Sequence, residues 1–286
     1  MRTAGADAQS EIERGERFAF GRNWSRFLDT LDESRMIEAE RSIQSLLRCE
    51  TLSGRTFLDI GSGSGLFSLA ARRLGARVFS FDYDRESVAC ALELRRRYFP
   101  NDPDWVIAHG SILDPAFLAQ VTPADVVYSW GVLHHTGQMW TALENAGKLV
   151  LPGGLLAVSI YNDQAGTSRR WRAIKRAYVA SSAPVRWLLL AISLVVTWWK
   201  DILADFVRMR PFYTWRTYSR QRGMSPWHDL VDWVGGYPFE VAKPEEIFEF
   251  FTARGFTLIR LKTCGGGKGC NEYVFRRDSS PALPLA

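Results

Sequence analysis

Two hydrophobic rhythms alternate along this chain. Short, mainly apolar runs read as buried strands: Thr56–Ile60, Arg77–Phe81, Trp105–Ala108, Asp125–Trp130 and Leu155–Tyr161. Between them, apolar positions recur at helical spacing, predicting helices through about Leu74, over Arg85–Tyr98 and over Leu143–Leu149 before the Pro152-Gly153-Gly154 turn. Strands that alternate with helices at this interval imply a parallel sheet covered on both faces. Ahead of it, Leu31, Met36, Ile37, Ile43, Leu46 and Leu47 mark an amphipathic helix over Asp29–Arg48. The aromatic, basic stretch just before it, Phe18–Phe27, either packs that helix onto the body or folds over something bound, and packing is the expectation. Behind the sheet, Pro244–Arg254 reads as a helix. Thr257–Thr263 and Glu272–Arg276 then form two strands joined by the glycine-rich turn Cys264–Cys270.

The stretch from Ala165 to Gly236 breaks the alternation. It contains 13 uncharged residues, Trp187–Trp199, bounded by Arg186 and Lys200. A membrane-crossing helix needs about 20 apolar residues, so this run is expected to be too short to cross. Between Ala165 and Arg222 stand 12 Arg or Lys against two acids, Asp201 and Asp205, a local charge of +10 on a chain whose total is +5. Five of the 11 tryptophans (171, 187, 198, 199, 215) share the segment. A basic, Trp-rich insertion on an acidic body points to an anionic partner: a membrane surface through 165–222, a nucleic acid or an acidic substrate. The run itself is a buried lid helix or one lying in a bilayer interface, to which end tryptophans and basic flanks are suited. The resulting layout is an N-terminal helical segment (1–50), an α/β core (51–164), the insertion (165–236), the end of the core (237–277) and a disordered tail (278–286).

Composition narrows the class. With 286 residues, 47% apolar and 23% charged, the chain can bury a large core and is not intrinsically disordered. Its four cysteines form no CxxC pair and accompany four histidines, which argues against a disulfide framework or a zinc cluster. The first residues are polar, without the apolar stretch of a secretory signal, and the expected compartment is cytoplasmic.

Candidate chemistry begins at Leu58-Asp59-Ile60-Gly61-Ser62-Gly63-Ser64-Gly65, between a strand and a helix. Glycines there permit a tight turn and close approach of a ligand. The dinucleotide fingerprint GxGxxG is not met, because Leu66 stands at its last glycine. A GxGxG loop preceded by an acid suits a cationic ligand without a pyrophosphate, with Asp59 ordering the loop. Asp82 closes the second strand, where a carboxylate can accept both hydroxyls of a ribose. Asp84, in DRES, is placed to cap the following helix.

In combination these motifs resemble the class I S-adenosylmethionine-dependent methyltransferases. FLDIGSGSG is similar to their first motif and FDYD to their second; GSILD, YSWGVLHHT and LVLPGGLLAVSIYN follow in the family's order. The resemblance covers roughly 51–162 and 237–277. It implies an α/β fold, a doubly wound, mostly parallel seven-stranded Rossmann-like sheet with a helical insertion before the last two strands, and S-adenosyl-L-methionine as cofactor. It further implies Gly61, Ser62 and Gly63 beside the cofactor's methionine and ribose, Asp82 on the ribose, Tyr83 against the adenine, Ser111 and Ile112 flanking it, and Trp130 alongside. Ser111 stands where many relatives carry an acid.

Methyl transfer from a sulfonium is an in-line displacement, in which positioning can supply roughly 7–11 kcal/mol. A hydroxyl acceptor must also lose its proton. His135 and then His134, at the carboxyl edge of the sheet, are the expected base, with His228 and Glu240 of the polar, aromatic stretch Ser225–Glu240 as alternatives. The likeness is nearest to the branch that O-methylates quinone precursors. Gly131 and His134 stand where that branch carries glutamates, so no metal is expected. The expected acceptor is small or lipid-linked, a prenylated phenol or a lipid-linked sugar. RNA ranks lower, because SWGV replaces the Asn/Asp-Pro-Pro-aromatic motif of base methylation. A non-enzymatic cofactor-binding module is the remaining alternative.

Overall fold

The computed structural model describes residues 8–21, 28, 31–210, 213–215 and 226–279. Seven strands, β1 (Thr56–Ile60), β2 (Arg77–Asp82), β3 (Trp105–His109), β4 (Ala124–Trp130), β5 (Val150–Tyr161), β6 (Phe256–Lys262) and β7 (Cys270–Arg277), form one sheet. Its order is β3-β2-β1-β4-β5-β7-β6. β1 to β5 pair in parallel, and β7 runs antiparallel between β5 and β6. The doubly wound sheet and the insertion before its last two strands agree with the expected architecture.

Alternation along each strand divides the core. Leu58 and Ile60 of β1 face one layer, built on Met139, Ala142, Leu143 and Ala146 of α6 (Met139–Lys148) and Ile247 and Phe251 of α10 (Pro244–Thr252). Phe57 faces the other. There α2 (Glu33–Leu47), α3 (Leu66–Arg73) and α4 (Arg85–Tyr98) supply Met36, Ile43, Leu69, Ala70, Cys90 and Leu94. A fully buried phenylalanine such as Phe251 is worth about 3–5 kcal/mol against alanine. α2 begins where Asp32 accepts the Arg35 N–H at 3.0 Å and ends at Arg48, whose φ is 53°. A short α1 (Ala8–Glu13) precedes it, and α5 (Pro115–Leu118) lies between β3 and β4.

The insertion consists of α7 (Gly166–Ala180), α8 (Ala183–Val207) and α9 (Pro226–Gly235). Together with Phe239 they bury a third apolar cluster around Trp171, Tyr178, Leu190, Leu230 and Val234. Two strand boundaries differ from expectation by more than one residue. β5 starts at Val150, before the Pro-Gly-Gly turn, because Val150 pairs with Ala124 across a register shift. β7 starts at Cys270 because that residue pairs with Tyr161. The turn between β6 and β7 is a hairpin, as expected, and it is tied to the end of β5: Asn162 N–H donates to Gly269 O at 2.9 Å. Of the tail expected to be disordered, Asp278 is held, its N–H donating to Gly255 O, while residues from 280 onward lie outside the described residues.

Candidate active site

The order in which the strands are laid down reverses between the parallel neighbours β1 and β4, which opens a crevice at their carboxyl ends. The glycine loop fills its floor. Gly61, Gly63 and Gly65 have φ of 74°, 54° and 83°, a region that side chains disfavour. Gly61 is also sterically required, since a Cβ there would lie 2.3 Å from Val132 Cγ1. The N–H groups of Gly61 and Ser62 donate to Phe81 O, binding the loop to the end of β2.

Asp82 organises the other rim. Its Oδ2 accepts the Gly63 N–H at 2.9 Å and its Oδ1 the Asp84 N–H at 2.8 Å. Burial pushes its pKa up to about 6 against these two donors. Each oxygen keeps lone-pair capacity for a diol. Asp84 caps α4 as expected, accepting the Glu86 N–H at 2.9 Å, and its second oxygen accepts the Gly21 N–H. Asp59 differs from expectation. Its side chain is buried, accepts the Ser68 hydroxyl at 2.6 Å, and is pushed up to about 7 by burial. Asp59 therefore anchors β1 to α3 and is a poor standing anion for a cationic ligand. Asp82 is the carboxylate of the rim.

The adenine side is mixed. Tyr83 lies under the Arg17 guanidinium, 5.0 Å from its ring centroid. Ser111 Oγ accepts the Leu113 N–H, turning the loop, while Ile112 is buried in the core and its carbonyl accepts from Asn145. Ile112 thus supports this wall from behind. Trp130 stacks on Tyr128 with ring centroids 5.5 Å apart.

His134 and His135 lie on a single 3₁₀ turn, Leu133–His135, after β4. His135 Nδ1 is 2.6 Å from Pro238 O, so it donates, and the neutral ring keeps its lone pair on Nε2. Burial holds the His135 pKa down at about 3. His134 is wholly enclosed, 4.1 Å from the Tyr161 ring, and neither ring nitrogen has a hydrogen-bond partner among the described residues. Burial drives its pKa well below the usual value. His134 packs, and His135 is the better-placed acceptor of a proton. Glu240 is engaged elsewhere. Its Oε2 accepts the Met139 N–H at 3.0 Å and so caps α6, whose own N-cap, Gln138, makes no side-chain bond. His228 falls on α9, and its side chain lies outside the described residues.

Two features escaped the sequence reading. Lys175, on α7, is fully buried; its Nζ donates to Trp233 O and lies 4.3 and 4.8 Å from the Trp233 and Phe239 ring centroids. Burial pushes its pKa down to about 7, against the pull of Asp232. Its proximity to His134 and His135 also disfavours their protonated forms. The available signal was the stripe Ser168, Trp171, Lys175, Tyr178 at helical spacing, with the lysine on the apolar face. The second feature is the segment after α1, which crosses the crevice. Arg17 pairs with Glu11 at 2.6 Å and donates to His135 O, Phe18 N–H donates to Tyr237 O, and the Phe20 ring lies 5.1 Å from that of His135. Packing of the following helix onto the body was the expectation; Phe20 instead lies against His135, and Phe18 packs on Phe20 and Tyr178.

Residues 58–156 match the family model of a methyltransferase domain. These residues are a methyltransferase domain. Over 149 residues, 52% of the chain, it is 30% identical to a ubiquinone biosynthesis O-methyltransferase of Bradyrhizobium sp. strain ORS 278, of which 53% is covered. Its counterpart in Caulobacter vibrioides strain ATCC 19089 is 28% identical over 141 residues, 47% of this chain and 50% of that protein. The chain spans about half the length of the curated relatives it matches. The methyltransferase fold extends further. Magnesium protoporphyrin IX methyltransferase of Synechocystis PCC 6803, solved with bound cofactor, superposes over 96% of this chain and 100% of its own with TM-score 0.54 at 13% identity. That neighbour was solved with S-adenosylmethionine bound, and the crevice of this chain suits such a ligand. Ser62 Oγ is buried without a partner among the described residues, and Asp82 presents a carboxylate where a ribose diol would lie.

Proposed function

We propose that the chain is a methyltransferase that O-methylates a small or lipid-linked acceptor, a prenylated phenol or a lipid-linked sugar. S-adenosylmethionine, when bound, supplies an electrophilic methyl carbon whose C–S electron pair leaves with a neutral thioether. Gly61, Ser62 and Gly63 hold its methionine and ribose side, and Asp82 its diol. The single observation that carries the reading is His135, fixed by Pro238 O with its Nε2 lone pair free to accept a proton, at the carboxyl end of β4. Tyr161, Trp233, Phe239 and Phe20 surround the two histidines with aromatic rings, which suits an apolar acceptor. The ubiquinone O-methyltransferase relatives favour oxygen as the methylated atom. As the acceptor oxygen bonds the methyl carbon, its proton is drawn toward His135 Nε2 and on to water, because burial keeps the ring from retaining it. Lys175 completes the pocket as a buried amine that is half neutral near pH 7.

The test incubates purified protein with methyl-labelled cofactor and a whole-cell extract, then counts label in organic, RNA, protein and water-soluble fractions. Label in the organic fraction is expected, and His135→Asn should lower its rate about 10²–10⁴-fold with cofactor affinity unchanged. Label confined to RNA overturns the acceptor. Undiminished turnover by His135→Asn overturns its role, and binding without turnover on any fraction favours a non-enzymatic module.

A further inference from the structure

The outer face of α8 is apolar, although the helix already has a partner on its inner side. Inward, Leu190 and Ser193 are buried and Trp187 stacks on Trp227 of α9, with centroids 5.4 Å apart. Outward, Leu188, Ile192, Val195, Trp199, Ile202 and Phe206 follow one another every three or four residues and are each more than half exposed. Spanning 188–206 of α8, the stripe is about 27 Å long. Within it, Ala183–Lys200 is an 18-residue window long and apolar enough to cross a membrane by length and composition, and 17% of the window is buried. Length therefore does not decide against crossing, contrary to the 13-residue run read alone. Packing does, since the inner side of α8 is committed to α7 and α9.

Charge selects the occupant. Arg169, Arg170 and Arg176 of α7 are exposed, as are Lys200, Arg208 and Arg210 on and after α8. Of the two acids in the segment, Asp205 is already held by the Thr214 N–H and hydroxyl. A second copy of the chain docked face to face through α8 would bring two such basic surfaces together. Anionic lipid headgroups attract each base by about 1 kcal/mol, and exposed tryptophans sit well at their level.

We propose that the outer face of α8 lies in the interface of an anionic bilayer, with the bases of α7 and α8 over the headgroups. The proposal stands on this surface and is independent of the acceptor. Its test floats the full chain with vesicles of phosphatidylcholine alone or with a third phosphatidylglycerol. Binding should be at least tenfold tighter to the anionic vesicles and weaken with salt. The substitutions V195E and F206E together, both at exposed positions, should weaken it at least tenfold while cofactor binding by calorimetry and the unfolding transition stay unchanged. Equal binding to both vesicles, or retention by the double variant, overturns the proposal. So does a chain that ignores vesicles but is a dimer that the double variant splits, or one whose basic face binds bulk RNA and not lipid.

Discussion

Lys175→Met separates what the buried amine does for stability from what it does for the reaction. An amine with pKa about 7 in the fold and 10.5 in the open chain is harder to charge in the folded state by about 5 kcal/mol. From pH 10.5 down to 7 the unfolded chain binds the proton, whereas the folded one stays largely neutral until pH nears 7. This group's contribution is therefore greatest above pH 10.5 and is lost as pH falls to 7. Methionine has similar length and no charge, so the substitution removes that penalty at neutral pH. It also leaves Trp233 O without its donor, which costs about 1–3 kcal/mol. A net gain of about 1–3 kcal/mol at pH 7 is expected, shrinking and reversing toward pH 10, measured by urea unfolding of both proteins across that range. Because other groups titrate alike in both, only the difference is read. In the same variant the rise of kcat/KM through pH 7, which neutral Lys175 is expected to produce, should disappear. A variant less stable than the parent at pH 7, with the difference constant across pH, would refute the reasoning, for the amine would then be charged in the fold.

Substitutions at Gly61, Glu240 and Asp59 probe the frame of the site. Gly61→Ala should cost about 2–4 kcal/mol in thermal unfolding and weaken cofactor binding in calorimetry, since its Cβ meets Val132 at a φ of 74°; adding Val132→Ala should restore part of the stability. Glu240→Ala should lose about 1 kcal/mol by removing the cap of α6, whereas Glu240→Gln should keep turnover within a few fold, an outcome incompatible with Glu240 as base. Asp59, with a folded pKa of about 7 against 3.8, favours folding below pH 3.8 and loses that advantage as pH rises to 7. Asp59→Asn should thus be more stable than the parent at pH 8 in urea, with a smaller gain at pH 5.

What the sequence disclosed was local. The glycine loop, Asp82 at a strand end and Asp84 before a helix are each defined by neighbours within a few positions; a hydrogen bond in the fold confirms the cap at Asp84, and another, not foreseen, ties Asp82 to the loop. Contacts between distant segments were hidden. Arg17 reaches His135 across 118 positions, and Glu240 caps a helix 101 residues earlier, so no spacing rule could pair them. Asp59 illustrates a subtler limit. The motif marks an acid at the end of β1, but alternation places its side chain on the α3 face with Phe57, where Ser68 waits, and burial then removes much of its charge.

Lys175 shows why composition misled there. Counted with its neighbours it belongs to a +10 surface, yet α7 turns it inward with Trp171 and Tyr178 while Arg169, Arg170 and Arg176 stay outside. One insertion thus carries two chemistries separated by helix phase: an aromatic interior that lowers an amine's pKa beside His135, and a basic, apolar exterior. α9 joins them. Its Trp227 stacks on Trp187 of α8, and its Trp233 carbonyl accepts a hydrogen bond from Lys175 Nζ. One short helix therefore touches both the apolar surface helix and the buried amine, and the insertion packs as a single unit.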